Sequence, residues 1–279
     1  MFHPLPVSRV ERLTDDSVAV TFAVPDELRE TFRHRPGQHL ALRRTDESGE
    51  EIRRTYSICS PAAPAGERPE LRVGIRLVDG GAFSTWALKE LAPGHTVDVM
   101  APTGRFVLDP RPGHFAAVAG GSGITPVLSM AATLLDREPE ARFCLIRSDR
   151  TAASTMFLDE VADLKDRHPD RFQLVTVLSR EEQQAGLPSG RLDQERLADL
   201  LPALLPVGAG LRPLSPFPSA RTCSILTARQ THAPDGPPGR ATDSDGRTGP
   251  WTSRSPRSSR RQRKRPGPSS PTSPPTPYP

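Results

Sequence analysis

Arg54-Thr55-Tyr56-Ser57, then Gly80-Gly81-Ala82-Phe83-Ser84, then Gly120-Gly121-Ser122-Gly123-Ile124-Thr125-Pro126 are the stretches on which the fold turns, in that order along a chain of 279 residues. The third has the clearest local logic. It follows an apolar run at 115–119 and precedes an apolar stretch of helical period at 127–135, so it reads as strand, glycine turn and helix. Its glycines let the backbone turn sharply and come close to a pyrophosphate, Ser122 and Thr125 offer hydroxyl donors, and Pro126 suits a first helical position. The spacing is not Gly-x-Gly-x-x-Gly, so the standard dinucleotide fingerprint is absent. The first two stretches hold what a planar ring on a pyrophosphate tail requires: a flat side chain in Tyr56, a guanidinium in Arg54 and a close-approaching backbone at Gly80-Gly81. Singly, each has an ordinary reading as an amphipathic strand, a hairpin turn, or core residues Phe83 and Trp86 at helical spacing. Their order and spacing together carry the stronger one.

Outward from these stretches the chain divides in two. Residues 7–22, 37–43, 52–60, 71–78 and 97–100 alternate apolar and polar side chains between Pro and Gly punctuation, which predicts an antiparallel β barrel with one helix at 82–91. From residue 114 strands and helices alternate: strands at 115–119, 142–147 and 172–178, helices at 125–136, 154–167 and 193–204. That rhythm predicts a parallel sheet with crossover helices. The expected fold is thus a β barrel, residues 1–107, followed by an α/β domain, residues 108–207, and then a segment of different character, residues 208–279. Loss of whatever belongs after Val207 would leave the sheet short of strands, with an unpaired edge or an uncovered apolar face.

Residues 5 to about 205 resemble the ferredoxin-NADP reductase superfamily, and within it the reductase subunits of phenylacetyl-CoA oxygenases (epoxidases). The resemblance implies an FAD-binding barrel and an NAD(P)H-binding α/β domain. It implies that Arg54 binds the flavin pyrophosphate, Tyr56 lies along the isoalloxazine and ribityl, and Ser57 reaches toward flavin N5. It also implies that the amides of Gly81, Ala82, Phe83 and Ser84 meet the flavin pyrophosphate at a helix start, where free N–H groups and the dipole both favour an anion. Gly120, Gly121, Ser122, Gly123, Thr125 and Pro126 would bind the nicotinamide dinucleotide pyrophosphate, with Thr125 near both rings. Ser57, Tyr56 and Thr125 are therefore the expected catalytic residues, and the implied reaction is hydride transfer from NADPH to FAD.

NADPH is expected over NADH because Ser179-Arg180, at the carboxyl end of the 172–178 strand, resembles the pair that reads a 2′-phosphate in plant-type members, with Arg150 and Arg191 as candidate helpers. The expected electron acceptor is an oxygenase component or a ferredoxin. The family's own iron-sulfur domain needs four thiolates, and the only cysteines are the isolated Cys59, Cys144 and Cys223, so neither a cluster nor another metal site is expected in this chain. Residues 208–279 carry 11 Arg and 1 Lys against 3 Asp, a net charge of +9 in a chain of +4, which leaves −5 for residues 1–207. With 15 Pro and 11 Ser and few large apolar residues, this segment is expected to be disordered. Three origins stay open: an authentic extension whose cluster at 260–265 touches nucleic acid or an acidic partner, a solubilising tail, or out-of-frame translation of a GC-rich gene, which the composition favours. The competing functional class is a non-enzymatic protein acting through that tail, although nucleic acid is not the expected partner. No run of 18 apolar residues and no signal-peptide pattern in the first 25 residues point to a cytoplasmic protein without a membrane partner.

Overall fold

A computed structural model describes residues 1–181, 190, 192–204, 210–213 and 223–229. They fall in one compact unit, Met1–Ala233, and the other unit, Pro234–Pro279, lies outside the described residues.

Six antiparallel strands form the first lobe: β1 (Phe2–Thr14), β2 (Ser17–Phe22), β3 (His39–Thr45), β4 (Glu51–Ser57), β5 (Leu71–Arg76) and β6 (Thr96–Met100), in the order β4-β3-β6-β1-β2-β5. The stretch at 7–22 resolves into a hairpin turned at Asp15-Asp16. The outer strands meet where Ile58 bridges Val73 and the Cys59 amide donates to the Arg72 carbonyl at 2.9 Å, closing the sheet into a barrel. Alternation puts every second side chain inside: Leu40 and Leu42, Val18 and Val20, Val73 and Ile75, Val97 and Val99 are all buried. Helix α1 (Ala82–Lys89) stops the barrel with Phe83 and Ala87, one turn apart and both buried, and full burial of a side chain such as Phe83 contributes about 1.5–3 kcal/mol.

The second lobe runs β7 (Gly113–Ala119), α2 (Ile124–Arg137), β8 (Ala141–Asp149), α3 (Leu158–Arg167), β9 (Phe172–Leu178) and α4 (Gln194–Leu204). β7, β8 and β9 are parallel. Phe115, Ala117 and Ala119 face the cluster built with α2 and α3, while Ala116 joins Cys144 and Ile146 against Leu197, Leu201 and Leu204 of α4. Helix α2 is buried all round from Ile124 to Leu135 because its second face lies on the barrel. There Thr133 Oγ1 accepts the Ala62 amide at 2.9 Å, and Arg137 reaches the Ala62 carbonyl. Pro126 is the third residue of this helix rather than its first. It still falls in the opening turn, where a missing N–H sacrifices no helical bond.

The expected structureless tail is corrected at two segments. β11 (Cys223–Arg229) pairs antiparallel with β7, and β10 (Gly210–Pro213) pairs with β11, giving the sheet order β10-β11-β7-β8-β9. β7 is therefore paired on both sides, by β8 and β11. An uncovered strand edge is a row of unmet N–H and C=O groups, and Cys-Ser-Ile-Leu-Thr-Ala-Arg is a run in this segment free of Pro and Gly and able to add to it. The remainder of 208–279 lies outside the described residues.

Candidate functional site

β4 and the start of α1 stand together at one side of the barrel. Arg54 and Tyr56 are two apart on β4, so they share a face; Arg54 is exposed and Tyr56 half-buried. The Tyr56 ring lies 5.6 Å from the Phe83 ring, and Phe83 in turn is edge-on to Trp86 at 5.5 Å. Burial pushes the Tyr56 phenol up to about 12, against the opposing pull of Arg54, so the side chain is a neutral flat surface at physiological pH. Ser57, half-buried, ends the strand opposite His39.

At the start of α1 no side chain caps the helix. The Gly81 amide is spent on the Val78 carbonyl at 2.8 Å, while the next three amides, of Ala82, Phe83 and Ser84, fall in the first turn, which has no intrahelical acceptors. The Ser84 hydroxyl is turned inward: it donates to the Gly81 carbonyl and accepts from the Val78 amide, both at 3.1 Å, and so offers an anion only its backbone. A Cβ on Gly81 would meet Ser84 Oγ at 2.7 Å and the Val78 carbonyl oxygen at 2.9 Å, so this turn accepts only glycine. A guanidinium, a neutral aromatic face and open helix-start amides on adjoining elements fit a flavin with its pyrophosphate tail.

The second glycine loop joins β7 to α2. Gly121 has φ +53°, a left-handed conformation, and a Cβ on Gly120 would strike the Ser148 carbonyl oxygen at 2.8 Å, so the loop passes against the end of β8. Asp149, the last residue of β8, accepts the Gly121 amide at 3.1 Å through one oxygen and Arg147 Nε at 2.8 Å through the other. Both ion-pair side chains are 1% exposed. Arg147 also donates to the Met156 carbonyl at 3.0 Å, leaving its Nη1 buried without a partner. Thr125, 4% exposed, donates its hydroxyl to the Ser122 carbonyl at 2.8 Å, and Ser122 itself is exposed.

β5 brings the two halves together. It closes on the chain leaving β4, and its Gly74 lies against the loop helix so tightly that a Cβ there would stand 2.7 Å from Thr125 Cγ2 and 2.9 Å from the Phe157 ring. Phe157 holds a left-handed φ of +56°, rare for a bulky residue, just before α3. Over its ring, at 5.3 Å, sits Arg72, which also bonds Glu11 of the barrel and Glu160 of α3, each at 2.9 Å. Arg76, at the end of β5, and Arg150, Ser179, Gly121, Ser148 and Asp149 line a cavity of about 250 Å³. The Ser179 and Arg180 amides bond the Asp149 and Arg150 carbonyls at 2.9 Å each. Of the expected 2′-phosphate group the structure thus brings Ser179 and Arg150 into one cavity, leaves Arg180 exposed beside them, and Arg191 lies outside the described residues. Gly74, Arg76, Asp149 and Phe157 had no sequence signal, because nothing local marks which strand will face the loop.

A larger cavity, about 430 Å³, opens at the opposite end of the sheet among His114, Arg142, Lys165 and Arg171. Lys165, Arg171 and Arg142 are there tied to backbone carbonyls, which makes them structural. Among the described residues no three His, Cys, Asp or Glu gather as metal ligands, and Cys59 and Cys144 are free and buried.

Comparison with known proteins agrees with this division. Residues 4–108 match the oxidoreductase FAD-binding domain and residues 117–210 the oxidoreductase NAD-binding domain. Over 207 residues, 73% of the chain, it is 45% identical to a subunit of 1,2-phenylacetyl-CoA epoxidase from Escherichia coli (strain K12), covering 57% of that protein. It is 34% identical over 185 residues, 66% of the chain, to the ferredoxin reductase component of 3-ketosteroid-9-alpha-monooxygenase of Rhodococcus rhodochrous, covering 51% of it, so it spans little more than half of either relative. The Amycolatopsis cytochrome P450 reductase structure matches with TM-score 0.58 and 28% identity over 72% of this chain and 59% of that one. In fold the chain is also like a ferredoxin NADP+ reductase from Neisseria gonorrhoeae with bound FAD and NADP, TM-score 0.58 at 24% identity over 71% of this chain and 76% of that one. Barrel, glycine loop and parallel sheet, matched residue range by residue range, make this chain an oxidoreductase FAD-binding domain followed by an oxidoreductase NAD-binding domain, in the fold of ferredoxin-NADP reductases.

Proposed function

We propose that the chain oxidises NADPH, in preference to NADH, on a bound FAD and passes the electrons to an oxygenase component or a ferredoxin in phenylacetate breakdown; its 45%-identical relative is a subunit of a 1,2-phenylacetyl-CoA epoxidase. One observation supports this above the others: β5 touches Thr125 of the glycine loop through Gly74 and closes the barrel beside the strand bearing Arg54 and Tyr56. The two half-sites therefore share a strand, which would hold groups bound in them close enough for direct transfer.

FAD held there supplies the hydride acceptor and the stepwise release of single electrons. The protein's part is positional. Arg54 and the open amides of Ala82, Phe83 and Ser84 neutralise the flavin tail, the neutral Tyr56 ring covers the flavin, and Ser57 hydrogen-bonds at its edge. Gly120 to Pro126 carry the nicotinamide dinucleotide, with Thr125 setting its approach. Ser179, Arg180 and Arg150 meet the 2′-phosphate. The work is placed in the cytoplasm; among the described residues no helix is long and apolar enough to cross a membrane.

The test is direct. Purified chain incubated with excess FAD should retain a yellow flavin spectrum that bleaches anaerobically with NADPH faster than with NADH. A correctly folded chain that takes up no flavin overturns the reading, and equal bleaching rates overturn the NADPH preference alone.

A further inference from the structure

The cations facing the 250 Å³ cavity, Arg76 and Arg150, are already answered by an anion of the barrel. Asp16, in the turn between β1 and β2, takes Arg76 Nε and Nη2 on one oxygen at 3.0 and 2.8 Å, and the same oxygen takes Arg150 Nη2 at 3.0 Å. A barrel carboxylate is thereby shared between a barrel guanidinium and one from the sheet lobe. Its other oxygen is fixed by the Thr14 hydroxyl at 2.8 Å. Burial works to raise the carboxyl, but Thr14 and the two arginines outweigh it and hold it below the usual range, so Asp16 is charged at any physiological pH.

The two arginines are not equivalent. Arg76 is 18% exposed and paired to Asp16 through two nitrogens, whereas Arg150 is 49% exposed and paired through one. A long side chain half in water with one bond can exchange partners easily; a doubly bonded, mostly covered one cannot. Arg76 also carries Nη1 to within 3.1 Å of where a Gly121 Cβ would lie, so the pair sits beside the loop that would carry the dinucleotide phosphates.

We infer that Asp16 is an internal competitor of the nicotinamide nucleotide: it occupies Arg150 in the nucleotide-free enzyme, and the nucleotide's 2′-phosphate displaces it, so that Asp16 sets affinity and NADPH selectivity from outside the nucleotide-binding domain. This rests on the reading of the site as an NADPH site. Nucleotide binding then exchanges one bond between the lobes for one bond to ligand, and the free energy of the Asp16–Arg150 contact is subtracted from the affinity for NADPH.

The test uses the full chain loaded with FAD and the non-reacting NADP+ and NAD+, titrated by calorimetry. Asp16→Asn should bind NADP+ about two- to fivefold more tightly than the parent, the worth of an exposed pair, with a smaller change for NAD+. In Asp16→Asn/Arg150→Gln the gain should vanish. A retained flavin spectrum and a single cooperative melting transition show that the variants are folded. Unchanged or weaker NADP+ binding by Asp16→Asn overturns the inference, as does an equal gain for NAD+ or a gain undiminished in the double variant. Parent protein that binds NAD+ as tightly as NADP+ overturns the NADPH reading, a separate result read without any variant.

Discussion

Cys59 and Cys144 illustrate how much of a residue's chemistry is decided by what surrounds it. Burial pushes the Cys59 thiol, just past the end of β4, up to about 12, against the pull of Arg72, and the Cys144 thiol, inside β8, up to about 11, from an ordinary value of 9. A group whose folded pKa lies above its unfolded one stabilises the fold fully below the unfolded value and loses that contribution as pH rises through the folded one. The melting temperature should therefore hold level as pH approaches 9 and fall between 9 and 12, with Cys59→Ser removing part of the fall. Calorimetric scans across that range check it, and a curve identical in Cys59→Ser would show that this thiol does not ionise on unfolding. Tyr56 adds to the same alkaline loss, because its phenol is also raised, to about 12. Their isolation from one another was legible in the sequence. The depth of their burial was not, since it depends on strands far apart in the chain.

At the scale of single elements, β5 and the end of β8 position the two cofactor halves. Gly74→Ala puts a methyl within 2.7 Å of Thr125 Cγ2 and 2.9 Å of the Phe157 ring, and neither neighbour is the free end of a flexible side chain. The barrel and the loop helix must then move apart, costing about 1–3 kcal/mol of stability. Flavin retention should be unchanged, whereas anaerobic flavin reduction should slow by about 10- to 100-fold, the effect of a displacement near 1 Å at a reacting centre. Stopped-flow reduction at saturating nucleotide separates that outcome from a loss of binding.

Asp149 acts on the other side of the same loop. Asp149→Ala strands Arg147 as an uncompensated buried charge and frees the Gly121 amide, so it should cost about 3–5 kcal/mol and also weaken nucleotide binding. Replacing both partners, as Arg147→Met with Asp149→Leu, should restore stability but not affinity, because the loop amide still lacks its acceptor. Denaturant melts and nucleotide titration read the two effects independently. The glycine loop, its flanking strand and its helix were all visible from residues 115 to 136 as a local pattern. The carboxylate that steadies it was not, because Asp149 differs from any other strand-end acid only in what it touches.

For the whole molecule, the barrel and the parallel sheet could be read from two periodicities, and their order from three motifs. Sequence pattern does not reveal how lobes meet: Arg72 joining Glu11 to Glu160, Thr133 bonded to Ala62, and Met130 filling the space over Gly37 all link residues far apart in the chain. It also missed the far edge of the sheet. A composition rich in Pro, Ser and Arg argued against structure beyond residue 207, yet β11 takes the edge of β7 along six residue pairs, from Cys223 opposite Ala119 to Ala228 opposite His114. Backbone pairing asks little of side chains, which is why composition is a poor guide to it when an open edge is waiting. β7 is the strand that leads into the glycine loop, so its pairing bears on the site as well as on solubility. A chain ending at Val207 would lose β10 and β11, exposing a strand whose run from Phe115 to Ala119 is wholly apolar. It should retain flavin in the closed barrel, bind nucleotide less tightly, and self-associate through the bare edge with concentration-dependent light scattering. If it stays monodisperse and binds NADP+ as the full chain does, the β7–β11 ladder contributes nothing to either property.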